Sequence, residues 1–237
     1  MSEATQNSSL AQQLEHRFGL RSLEYRHNLS KEELFHEAIA NDRGRVSLDG
    51  DDNAQKAFAT KLGVNGPLVY YTDPTCTGRP VNDTFGVAWP ELDEKVWWKP
   101  DFQKFNPEKF EALTARVVEH LNQRGKHLYV KDVYAGADPS YARPYRLVSE
   151  YASHSFFCHN MFMHGIEGVS DEDAKRWTML NVPSFHCDPE RDGTVGTRLA
   201  CLDFKNKVVL VLGRADYCGV VKKSMFTVMN YLLPEMG

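Results

Sequence analysis

The sequence predicts an α/β fold, a mixed β-sheet packed by helices, and three observations carry that expectation. Runs of strand length rich in β-branched and aromatic residues, such as PLVYYT, LYVKDVYA and KVVLVLG, recur along the chain. Between them stand stretches whose apolar residues fall at helical spacing. The two kinds interleave without a regular strand–helix–strand period, which favours strands of mixed direction with helices laid on the sheet.

Each element follows from local chemistry. Residues 1–8 are polar and are expected to form a disordered arm, leaving 9–237 as a single domain. Ser30 with Glu33 three positions on forms a capping box. Leu34, Ala38 and Ile39 then recur at helical spacing, so a helix is predicted over 31–41, ended by Gly44. Residues 51–62 read as a helix closing at Gly63, and PLVYYT as the strand after it. The Thr, Asp, Gly and Pro content of TDPTCTGRPVND marks a loop before the strand TFGVAW. Asn106 caps a helix with Pro107 at its first position, and Phe110, Leu113, Val117 and Leu121 form its apolar stripe. LYVKDVYA and YRLVSE are strands, and 151–163 read as a largely buried helix. RLACLDF and KVVLVLG form a hairpin across Lys205 and Asn206, and SMFTVMNYLL is the last helix.

Composition excludes several classes of function. A formal charge of -4 and a pI near 6.1 leave no electrostatic footprint for nucleic acid. No run of about 18 apolar residues predicts a membrane span, and the opening MSEATQNSSLAQQLEHRF has neither a basic nor an apolar targeting region. The expected location is cytoplasmic. Cys76, Cys158, Cys187, Cys201 and Cys218 are odd in number and make no CxxC pair, so buried reduced thiols are expected rather than disulfides or zinc ligands.

No phosphate-cradling GxxxxGK[ST] and no GxGxxG pattern occurs, so ATP is not expected to bind this chain alone. The segment richest in chemistry is YCGVVKK, which places Tyr217, Lys222 and Lys223 at a strand-to-helix junction, where sheet edges commonly present ligand-binding groups. A partly desolvated lysine beside another cation can lose its proton and serve as a ligand or base, whereas a solvated pair merely opens a helix. Arg79, after Gly78, could take a carboxylate through two parallel hydrogen bonds. His154, Cys158, His159 and His164 do not make a recognised zinc spacing, and DPERDG is a turn rather than a calcium loop.

The order of segments adds a resemblance. NLSKEELFHEAIAN, TGRPVNDTFGV, VWW, LYVKDVYAGADPSYARPYRLVSEYA, FFCHNMF, PSFHCDPERDGT and DYCGVVKKSMFTVMNYLLP together resemble the N-terminal domain of ATP-dependent phosphoenolpyruvate carboxykinases, from about residue 18 to the end. The resemblance implies a reaction that turns oxaloacetate and ATP into phosphoenolpyruvate, carbon dioxide and ADP at the opening of gluconeogenesis. It implies that Arg79, in a TGRSPKD-type loop, holds the substrate carboxylate. In a YxGExKK-type segment it implies Tyr217 as a substrate contact, Lys222 and Lys223 as catalytic cations, and Lys223 as a substrate contact and ligand of Mn2+ or Mg2+.

The chain departs from that pattern. Pro80, Val81 and Asn82 replace the Ser and Lys of the loop, Val220 stands where the pattern has Glu, and Arg214 and Ala215 replace a glycine and threonine. The family's metal-binding histidine and aspartate, its P-loop and a second substrate arginine are expected to be missing. The resemblance therefore implies a half-site for oxaloacetate or phosphoenolpyruvate, inactive by itself. The alternatives are a degenerate module that binds a dicarboxylate or a protein partner, and a lyase acting on β-keto acids without ATP. The last helix, apolar on more than one face, is expected to meet a partner protein or a second copy.

Overall fold

The computed structural model describes the chain except residues 1–2, 22–23, 43–44, 48–54, 58–59, 63–67, 71–75, 170–174, 214–216 and 237. In order the elements are α1 (Glu3–Phe18), β1 (Tyr25–His27), α2 (Lys31–Asn41), β2 (Arg45–Ser47), β3 (Gln55–Ala57), β4 (Thr60–Leu62), β5 (Leu68–Tyr70), β6 (Thr84–Val87) and β7 (Gln103–Phe105). There follow α3 (Pro107–Arg124), β8 (Leu128–Ala135), β9 (Arg143–Ser149), α4 (Ala152–Met161), β10 (Trp177–Val182), α5 (Pro189–Asp192), β11 (Leu199–Asp203), β12 (Val208–Leu212) and α6 (Gly219–Leu232).

Eight strands form one mixed sheet in the order β1-β8-β9-β10-β12-β11-β6-β7. Strands β9, β10 and β12 are mutually parallel, β11 is antiparallel to β12, and β6 and β7 run with β11. Successive strand residues face opposite sides, and the core divides accordingly. Val148, Leu180 and Leu210 pack with Leu10 and Leu14 of α1 and with Leu113, Val117 and Leu121 of α3. Their neighbours Leu147, Met179 and Val209 pack on the other face with Cys158 of α4 and Val221, Met225 and Val228 of α6.

The local chemistry accounts for the helices. Ser30 and Glu33 close the capping box on α2. Asn106 accepts from the backbone of Lys109, Pro107 opens α3, and Gly125 ends it in the left-handed region. None of the five cysteines forms a disulfide; four are buried and Cys218 is half-buried.

Three expectations need correction. Residues 3–8, read as an untethered arm, are the first turns of α1. The burial of Leu10 and Leu14 and the bonds of Arg17 to Thr178 Oγ1 and the Asn206 carbonyl anchor this helix, and a nucleated helix propagates at little cost. Within 51–62 the described residues form β3 and β4, antiparallel to β2 and β5; local pairing satisfies the backbone and overrides a weak helix preference. Gly44 and Gly63, read as helix ends, lie outside the described residues. Finally, α6 begins at Gly219 rather than Ser224, so the two lysines are helical.

Candidate functional site

The strand directions bring the starts of β6 and β11 and the end of β12 to one edge of the sheet. Ala200 pairs with Thr84 and Leu199 with Leu212, so the residues just before β6, just before β11 and just after β12 converge there. At this edge lies a cavity of about 510 Å³, lined by Cys76 and by residues 79–83 and 195–198.

One buried carboxylate holds the cavity wall. Asp83, 5% exposed, accepts hydrogen bonds from the backbone N–H groups of Val195 at 2.5 Å and Gly196 at 3.0 Å. Burial raises its pKa, and these two bonds and the charge of Arg198 pull against that rise. Gly196 is small for a reason, since a Cβ there would lie 3.1 Å from Asp83 Oδ2. Thr84 Oγ1 donates to the Pro80 carbonyl at 2.7 Å, closing the turn that carries Arg79 into β6. At the end of β12, Gly213 adopts φ +60°, and a Cβ on it would meet the Thr197 carbonyl oxygen at 2.0 Å. The segments thus touch backbone to backbone.

Arg79 is exposed and Arg198 half-buried on this cavity. Among the described residues neither guanidinium has an ion-pair or side-chain hydrogen-bond partner. Tyr217 follows β12 and is 40% exposed. Its ring folds over Gly219, where a Cβ would approach it to 2.4 Å. Lys222 is exposed and Lys223 half-buried in the second turn of α6, with the Lys223 ammonium 4.8 Å from the Phe226 ring centre. Cations at the positive end of a helix are disfavoured unless an anion is near. The structure brings Arg79 and Tyr217 to the same sheet edge, but no contact joins Arg79 to Tyr217 or to either lysine among the described residues.

These residues do not fit a divalent cation. No group of three His, Cys, Asp or Glu side chains that could hold a metal occurs among the described residues, and Lys223 is engaged with an aromatic ring. Of the histidine cluster, His154 is fully buried; the His159 and His164 rings lie with centres 4.1 Å apart, tilted by 40°. Burial and the charge of Lys131 push the His159 pKa down to about 4. DPERDG is a single helical turn, capped by Asp188 and ended by left-handed Gly193.

A second cavity of about 420 Å³ lies at the same edge beside β8 and β9, lined by Asp42, Arg124, His127, Tyr129 and Glu150 among others. The Asp42 carboxylate caps α4, accepting from the N–H groups of Ala152 at 2.9 Å and Ser153 at 2.6 Å. Burial outweighs these bonds and pushes its pKa up to about 6. A carboxyl raised in the folded state favours folding below its unfolded pKa, and that contribution is lost as pH rises through about 6. In urea titrations wild type should therefore lose about 2–3 kcal/mol relative to Asp42→Asn between pH 4 and pH 7. Equal pH dependence in the two proteins would contradict this.

Sequence reasoning singled out Arg79 and Tyr217, which the fold brings to this edge, but gave no sign that Asp83, Arg198 or Gly213 would lie there. Asp83 stood within TGRPVND; nothing local marks Arg198, which enters the site only through the pairing of β11 with β6.

No described helix is long and apolar enough to cross a membrane. Residues 24–237 match the family model described as phosphoenolpyruvate carboxykinase. The phosphoenolpyruvate carboxykinase (ATP) of Thermus thermophilus is 42% identical over 180 residues, covering 74% of this chain and 33% of that protein. Those of Rhizobium rhizogenes and Deinococcus radiodurans are each 35% identical, covering 90% and 82% of this chain and 36% and 42% of theirs. The chain thus spans between a third and about two fifths of the length of these relatives. With the whole eight-stranded sheet inside the matched range, the chain belongs to the ATP-dependent phosphoenolpyruvate carboxykinase family.

Proposed function

We propose that this chain supplies the organic-acid-binding part of a phosphoenolpyruvate carboxykinase, taking oxaloacetate or phosphoenolpyruvate at the sheet-edge cavity. The observation that carries the reading is an uncommitted guanidinium, Arg79, on a cavity at the edge from which Tyr217 and the lysine-bearing start of α6 emerge. Arg79 takes the carboxylate through paired hydrogen bonds. Tyr217 offers a hydroxyl to the same acid, and Lys222 and Lys223 supply positive charge toward an enolate oxygen. Mn2+ or Mg2+ and ATP, which the family reaction uses, are not routed through these residues, because the donor set does not fit a metal and no P-loop stands in the 237 residues.

A degenerate binding module is the second reading, and Val220 favours it. It occupies the position of an acidic residue in the family pattern and is 2% exposed, so the lysines lack that charge partner. Phe226 at 53% and Leu233 at 39% exposure offer this module a surface for a partner protein or a second copy.

Calorimetric titration of the 237-residue chain should show oxaloacetate binding that Arg79→Ala weakens about tenfold or more, and the chain alone should make no phosphoenolpyruvate from oxaloacetate and ATP. Binding indifferent to Arg79→Ala would overturn the site. Phosphoenolpyruvate formation by the chain alone would overturn its assignment as a half.

A further inference from the structure

A second cation, Arg198, lines the cavity and lies outside the segments that carry the resemblance to the family. We propose that Arg198 is a second ligand-binding guanidinium, making the site selective for short dianions such as dicarboxylates, with Asp83 as the residue that positions it. This rests on the reading of the cavity as the organic-acid site.

Three observations carry it. Arg79 and Arg198 line the same cavity of about 510 Å³, reaching it from two different chain segments. Neither is committed to an ion pair or a side-chain hydrogen bond among the described residues. The backbone N–H groups of Val195 and Gly196 point inward to Asp83, and those of Val81 and Asp83 are held by the Arg79 and Pro80 carbonyls. The guanidinium groups are the charged donors that line the cavity.

Two guanidinium groups on one cavity repel each other until an anion lies between them, and each offers a planar fork suited to one carboxylate. A ligand with anionic groups at both ends satisfies both forks, whereas a monoanion leaves one empty. The rim residues Val81 and Val195 are 52% and 66% exposed and give a short carbon chain an apolar contact. Asp83 acts at one remove. Its carboxylate fixes Val195 and Gly196, three and two positions before Arg198, and lies close enough to feel the Arg198 charge.

The test is calorimetric titration at neutral pH with oxaloacetate and with pyruvate, which is the same keto acid with one carboxylate fewer. Arg198→Gln should weaken oxaloacetate binding about tenfold or more, the loss expected for one charge-assisted contact. Pyruvate binding should stay within about twofold, and Arg198→Lys should restore part of the oxaloacetate affinity. Arg79→Ala should weaken both acids. Asp83→Asn should mimic Arg198→Gln, and the double variant should be no weaker than the worse single one by more than about twofold, since a positioning residue and its dependent do not add. A purely structural Asp83 would give additive losses.

Oxaloacetate binding that depends on Arg79 but not on Arg198 would overturn this inference and leave the proposed function standing. Equal loss of both acids in Arg198→Gln, with an unchanged thermal midpoint, would also overturn it. Wild type binding neither acid would overturn both together.

Discussion

Replacing Asp132 by alanine is expected to destabilise the fold by about 3–5 kcal/mol, the range for a buried ion pair that loses one partner. Asp132 on β8 accepts from Arg146 Nε at 2.7 Å and Nη2 at 2.9 Å. Arg176 Nη1 lies 2.8 Å away and His27 Nε2 2.9 Å away. Both arginines are only 4% exposed, so removing the carboxylate takes from two buried cations the acidic partner they share. The same Arg146 donates to Gln13 of α1, which spreads the damage to the helix that covers one face. For a chain of this size the melting midpoint should fall by about 6–20 °C.

The pH dependence distinguishes this mechanism from simple loss of packing. Burial alone would raise the Asp132 pKa, but hydrogen bonds from Arg146 and His27 and the charges of Arg146 and Arg176 outweigh it and hold the carboxyl well below the usual range. A depressed carboxyl stabilises the fold above its unfolded pKa, and the contribution is lost as pH falls toward the folded value. The gap between wild type and Asp132→Ala should therefore persist above about pH 5 and close as pH falls below about 4. A gap under about 1 kcal/mol, as exposed ion pairs give, would show that the network carries little of the stability.

Gly213→Ala is expected to cost about 2–5 kcal/mol and to abolish ligand binding together. The left-handed φ of +60° disfavours alanine by about 1–2 kcal/mol. The added Cβ also meets the Thr197 carbonyl at 2.0 Å, a backbone atom that cannot rotate away, and overpacking of this kind adds about 1–3 kcal/mol. Relief of the clash must push residue 197 from the end of β12, carrying Arg198 with it. Chemical denaturation and oxaloacetate titration of one preparation check both parts; a stable variant with normal affinity would mean that this close approach does not shape the site.

Much of the architecture was legible because it is written locally. The capping box of Ser30 and Glu33, the Asn106–Pro107 start and the stripe from Phe110 to Leu121 each contain their own explanation, and α2 and α3 form where they say. Strand β10 shows the opposite case. TMLNV has no alternation because the strand is buried on both faces between β9 and β12, and nothing within the segment reveals that. Residues 51–62 carry a helical spacing that pairing with neighbouring segments overrides. The site divides in the same way. Arg79 and Tyr217 sit in recognisable segments, whereas Arg198 and Asp83 matter through the pairing of β11 with β6, a long-range fact that no local pattern encodes. The Asp132 network likewise joins β1, β8, β9 and the residue before β10, and its members look like ordinary surface charges until the sheet assembles.

The most direct test of the central claim, that the edge cavity beside β6, β11 and β12 receives a small organic acid, is a backbone amide chemical-shift titration of the isotopically labelled chain with oxaloacetate. Saturable shifts concentrated in residues 77–83, 194–198, 213 and 217–223 are the expected result. Shifts centred instead on Asp42, His127 and Glu150, or no saturable shift at all, would contradict it.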